Sequence, residues 1–96
     1  MKATAMLEAL EDAATRLEVR VSYESLASTI GHGGLCRVRG QYRVIIDRRA
    51  TTEERCATLA QALTRIDTKA VTIPPAVREL IDFYVDRPRP ATRRAS

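Results

Sequence analysis

Leu35-Cys-Arg-Val-Arg-Gly-Gln-Tyr-Arg-Val-Ile-Ile-Asp47 is the stretch on which the fold turns. Apolar and polar residues alternate on both sides of Gly40, the pattern of two strands joined by a tight turn. Parity selects the loop. A two-residue loop Gly40-Gln41 pairs Val38 with Arg43 and mixes polar with apolar on both faces. A three-residue loop, Arg39-Gly40-Gln41, places Cys36, Val38, Tyr42, Val44 and Ile46 on one face. The other face is then Leu35, Arg37, Arg39, Arg43, Ile45 and Asp47. One apolar face is what a sheet needs to pack against helices, so the three-residue loop is expected.

Upstream, residues 24–34 are irregular, with glycine at 31, 33 and 34. A P-loop would need Gly-Lys-Ser/Thr followed by a helix, and neither is present, so this segment reads as a flexible entry into the hairpin. Val19, Val21 and Tyr23 alternate with Glu18, Arg20, Ser22 and Glu24, which predicts a strand over about 18–23. Before it, Met6, Leu7, Leu10, Ala13, Ala14 and Leu17 follow a helical period, and a helix is expected over about 3–17. Downstream, Thr51-Thr-Glu-Glu54 is a capping box that opens a helix running to about Asp67. Its buried stripe is Cys56, Leu59, Ala60, Leu63 and Ile66. Thr68–Ile73 reads as a loop or a brief strand. Pro74-Pro75 starts a third helix, lined by Val77, Leu80, Ile81 and Tyr84. Arg87-Pro-Arg-Pro90 ends it.

The expected fold is α+β: an N-terminal helix, a three-stranded antiparallel sheet including the hairpin, then two helices packed on one sheet face. Residues 1–86 form a single domain and 87–96 a disordered basic tail. A chain of 96 residues builds a thin core, with a stability of about 5 kcal/mol. The net charge of +4 comes wholly from the tail arginines at 87, 89, 93 and 94, since residues 1–86 hold equal numbers of acidic and basic side chains. Four aromatics and no Trp argue against a stacking platform for single strands. No apolar run approaches the ~18 residues of a membrane span. Glu8 and Glu11 interrupt any signal-peptide core, so the expected location is cytoplasmic with no membrane partner.

The candidate binding residues are Arg37, Arg39, Arg43, Arg48 and Arg49. Five arginines against one aspartate between positions 37 and 49 form a basic patch suited to phosphates or nucleic acid. The plainer reading is a solvated face whose arginines pair with nearby carboxylates. Cys36 and Cys56, with His32, match no zinc spacing, having neither CxxC nor HxxxH. No catalytic residue, metal or cofactor is expected. Leu35 and Ile45 on the outer face, and Phe83 and Val85 at the end of the third helix, leave apolar surface that a homodimer or another protein partner would cover.

Two resemblances add to this reading. Arg43–Ile66 is similar to the core of zincin-like metallopeptidases of the ImmA/IrrE type, with strand Val44-Ile-Ile-Asp47, the pair Glu54-Arg55 and helix Leu59-Ala-Gln-Ala-Leu-Thr-Arg65. Gln61, Ala62 and Arg65 stand where that family has its first zinc histidine, its general-base glutamate and its second histidine. The resemblance therefore implies a related fold without peptidase activity. Gly33-Gly-Leu-Cys36 and Pro75-Ala-Val-Arg-Glu79 resemble segments of a family of small uncharacterised bacterial proteins. That resemblance implies no activity. A non-enzymatic interaction or regulatory module is the expected function; the alternative is nucleic-acid association through the arginine face and the tail.

Overall fold

The structure is a computed structural model, and it describes residues 2–25 and 33–85. Its elements are α1 (Ala3–Arg16), β1 (Arg20–Glu24), β2 (Gly33–Val38), β3 (Gln41–Asp47), α2 (Thr52–Leu63) and α3 (Pro75–Val85). Most of the glycine-rich segment and the basic tail lie outside the described residues.

α1 buries Leu10, Ala13 and Ala14, the stripe its period predicts. It ends by folding the chain back on itself. Glu18 takes a left-handed conformation at φ 62°. Its N–H donates to the Thr15 carbonyl at 3.0 Å, and the Val19 N–H donates to the Ala14 carbonyl at 2.8 Å. This is a Schellman closure with glutamate where glycine is usual. It delivers Val19, 3% exposed, straight into the core and sets β1 beneath α1.

The sheet has the order β1-β3-β2, so the last strand in sequence is the central one. β2 and β3 are antiparallel, but β1 runs parallel to β3. The sheet is therefore mixed, which corrects the antiparallel expectation. The reason lies in β3. Val44-Ile-Ile46 is the most apolar strand segment, and the central position gives it a strand on each edge while the helices bury Val44 and Ile46. β1 and β2 then flank it, two strand spacings apart. That separation is too wide for a tight hairpin and accords with the eight residues between the two strands.

The hairpin turn also differs from expectation. Val38 pairs with Gln41, so the loop is the two residues Arg39-Gly40. Both have positive φ, 54° and 83°, as a type I′ turn requires. Such a turn matches the right-handed strand twist, and Gly40 carries its second left-handed position at no steric cost. Relative to the expected loop, β2 slips by one residue, and a slip of one reverses the faces of a strand. Leu35 thus points to the core and Cys36 and Val38 point away from it. The helix-side face is Val21 and Tyr23 of β1, Tyr42, Val44 and Ile46 of β3, and Leu35 of β2.

α1 and α2 cover that face, and α3 packs on α1 and α2 rather than on the sheet, a correction to the expected pairing of α2 and α3 on the sheet. Leu10, Val44, Ile46, Leu59, Leu63 and Val77 are fully buried where the layers meet. The capping box of α2 is present as expected. The Glu54 N–H donates to Thr51 Oγ1 at 3.1 Å, and the Thr51 N–H donates to Glu54 Oε1 at 2.8 Å. Between α2 and α3 the chain is irregular, with no strand. It is held by Arg78, which donates to the buried Thr68 hydroxyl at 2.7 Å.

Candidate functional site

Two regions gather polar chemistry. The first lies where α1, β1 and the start of α2 meet. The Schellman turn sets Tyr23 twelve residues after Glu11 yet against it, and the Tyr23 hydroxyl donates to the Glu11 carboxylate. Arg55, in the first turn of α2, lies over the Tyr23 ring at 4.8 Å from its centroid. The same guanidinium donates from Nε to the Ala50 carbonyl at 3.1 Å and from a terminal nitrogen to the Arg48 carbonyl at 2.8 Å. Burial, followed by the hydrogen bond to Glu11, raises the Tyr23 pKa well above its ordinary value. The phenol therefore stays protonated. Glu11, Tyr23 and Arg55 form a tie between helix, strand and loop, with no activated nucleophile. Beside it, a shallow groove of about 440 Å³ runs between α1 and β1, lined among others by Glu11, Thr15, Glu18, Arg20 and Val21.

Cys56 sits near this tie. Its thiol donates to the Ala3 carbonyl at 3.4 Å. Burial, then the charges of Glu53 and Glu11, pushes its pKa up. A protonated, buried thiol is a poor nucleophile and a poor metal ligand. Among the described residues no three His, Cys, Asp or Glu side chains gather in one place. Of the positions aligned with the zincin motif, Gln61 is partly buried, Ala62 is buried, and Arg65 is exposed beyond the end of α2. His32 lies outside the described residues.

The second region is the sheet face turned away from the helices. It carries Arg20, Ser22 and Glu24 from β1, Arg43, Ile45 and Asp47 from β3, and Cys36 and Val38 from β2. Its apolar members, Cys36, Val38 and Ile45, neither belong to the apolar core cluster nor pack against it. Val38 is 44% exposed, and Ile45 and Cys36 are partly buried.

The register disperses the five arginines expected to act together. Arg43 lies on the outer face. Arg37 points to the helix side and stacks on Tyr42, 5.3 Å from the ring centroid. Arg39 occupies the turn at one end of β3, while Arg48 and Arg49 follow its other end. Seven strand residues separate these ends, a span of about 23 Å. Arg49 is engaged with Asp47, through its N–H at 3.0 Å and its Nε at 3.9 Å.

The parallel register brings together a pair that sequence reasoning missed. Arg20 is the direct neighbour of Arg43, and at the other end of β1 Glu24 neighbours Asp47. Like charges therefore meet at both ends of the β1–β3 ladder. Among the described residues neither Arg20 nor Arg43 forms an ion pair, and Arg43 Nε is buried without a hydrogen-bond partner. Nothing in the spacing of residues 20 and 43 signals this contact; it exists only because β1 is parallel to β3. The polar side chains of β1 alternate in the sequence, but their neighbours do not follow from it.

Among known protein families, curated proteins and solved structures compared with the chain, none matches it. No helix of the described residues is long and apolar enough to cross a membrane.

Proposed function

We propose that this chain is a non-enzymatic interaction or regulatory module that acts by association through its sheet. The observation that supports this reading is the one-sided packing: α1 and α2 cover one face, and Cys36, Val38 and Ile45 stand on the other without cover among the described residues. Apolar side chains interleaved with Arg43, Ser22 and Asp47 have the character of a contact surface with a polar rim. The Glu11–Tyr23–Arg55 contacts join this sheet to α1 and α2.

Ile45→Arg tests the proposal. It places a charge at the centre of the outer face and leaves the core residues Val44 and Ile46 in place. Affinity capture from native cells is compared for the two proteins. A partner held stoichiometrically by the wild type and lost by Ile45→Arg, with circular dichroism unchanged, supports the reading. An identical set of captured proteins refutes it.

A second reading, nucleic-acid association, is favoured by the Arg20–Arg43 pair, which has no carboxylate partner among the described residues, and by the exposure of Arg37, Arg39 and Arg48. It requires binding to random duplex DNA that weakens steeply as salt rises. Affinity no better than millimolar in low salt removes it.

A further inference from the structure

β1 is an edge strand, and its outer edge is directed by the pairing on its inner one. The Glu24 carbonyl accepts from the Arg48 N–H at 2.9 Å, so the peptide groups of Glu24 face β3. Strand alternation turns those of Ser22 and Arg20 the same way, and those of Val21 and Tyr23 outward. Among the described residues the outward N–H and C=O groups meet no other chain segment. An edge of this kind invites another strand.

The five residues Arg20-Val-Ser-Tyr-Glu24 are self-complementary about their centre. We propose that two copies of the chain join by antiparallel pairing of β1 with β1, on a two-fold axis through Ser22. Val21 then lies opposite the partner's Tyr23, and these are the residues with outward peptide groups, so each such pair exchanges two backbone hydrogen bonds. Ser22 faces its own copy. Arg20 lies opposite the partner's Glu24, in the closely spaced non-hydrogen-bonded position where side chains approach best.

The charge order extends past the edge. Within one chain Arg20 neighbours Arg43, and Glu24 neighbours Asp47. Across the axis these become a row Arg43, Arg20, Glu24, Asp47, the last two from the partner, and the same row repeats in reverse. Two like-charge contacts that cost energy in the single chain are thereby set against their opposites. The outer edge of β2 offers no such match about Cys36, since a two-fold there sets Leu35 against Arg37. The result is a six-stranded sheet whose outer face is doubled. The inference deepens the association reading by naming a second copy as partner and the β1 edge as the contact.

The experiment is a charge swap with a register-specific crosslink. Arg20→Glu and Glu24→Arg each improve the pairing inside one chain, with Arg43 and with Asp47, so neither variant threatens the fold. Each sets like charges across the axis and is expected to weaken dimerisation at least ~10-fold. The double variant restores opposite charges and is expected to return the affinity to within about threefold of the wild type. Ser22→Cys, in a Cys36→Ser background, is expected to form an intermolecular disulfide with diamide, since the two Cα atoms lie about 4.5 Å apart in such a pair. Glu24→Cys in the same background is not, because its copies are offset by about 14 Å along the strands. Light scattering should give twice the 10.7 kDa chain mass. A dimer unmoved by either charge reversal, or one in which the Glu24→Cys variant crosslinks and the Ser22→Cys variant does not, overturns the β1 edge and leaves association standing. A wild type that remains monomeric at about 200 µM overturns the dimer, while Ile45→Arg still decides the outer face.

Discussion

Replacing Arg55 with alanine is expected to cost about 2.5–3 kcal/mol, a large part of the stability of so small a domain. The guanidinium makes two hydrogen bonds to carbonyls, at 3.1 Å to Ala50 and 2.8 Å to Arg48. A hydrogen bond with one charged partner contributes about 1.5 kcal/mol at the lower end of its range; partial exposure discounts each of these to about 1 kcal/mol. Its position 4.8 Å from the centre of the Tyr23 ring adds about 0.5–1 kcal/mol. Arg55→Lys keeps the charge but not the fork, and is expected to lose about 1–2 kcal/mol. The assay is urea unfolding followed by circular dichroism at one fixed protein concentration, because association adds to apparent stability. The slope should not change and the midpoint should fall. A double-mutant cycle with Tyr23→Leu isolates the ring contact and should return a coupling of about 0.5–1 kcal/mol. A loss below about 0.5 kcal/mol for Arg55→Ala would mean that the loop after β3 does not depend on this side chain, and the reasoning fails.

Leu59→Ala, at a position with no exposure, is expected to cost about 2–5 kcal/mol through lost transfer energy and a cavity, read from the same urea curves; a loss under about 1 kcal/mol contradicts the packing. The raised Tyr23 pKa makes the phenol more acidic in the unfolded chain than in the folded one. Its contribution is therefore full below the unfolded value near 10 and declines as pH rises above it. Tyr23→Phe should flatten the alkaline limb of stability measured between about pH 9 and 11, and an unchanged limb assigns the alkaline loss to another group. Arg39→Asn suits the left-handed first position of the turn, where φ is 54°, and should raise stability by about 0.5–1 kcal/mol. A destabilisation there would count against the two-residue turn.

Local elements were legible because their signals are local. The apolar stripe of α1 needs only a period of 3.6 residues, and Thr51 with Glu54 satisfies its own helix end within four residues. The strands at β1 and β3 follow from alternation alone. Val44 and Ile46 are core on any register, being alternate members of one strand. Ile45 likewise falls on the outer face from its parity with them.

Tertiary structure decided what connects these pieces. Whether β1 joins the hairpin beside β3 or beside β2 is not written in its alternation, and only pairing with β3 makes the sheet mixed. The hairpin loop was settled by backbone twist: a type I′ turn at Arg39-Gly40 fits the strands better than the loop that groups the most apolar side chains. That single-residue difference moves Leu35 into the core, turns Cys36 outward and separates Arg37 from Arg43. The Glu11–Tyr23–Arg55 tie joins three elements through contacts that no spacing encodes. Arg20 meets Arg43, and Glu24 meets Asp47, only because the strands are parallel. The sequence by itself determines the helices, the strands and most of the buried residues, since each is set by neighbours along the chain. The direction of β1, the faces of β2 and the charge row along the sheet edge are properties of the assembled sheet, since each depends on residues brought together from distant parts of the chain.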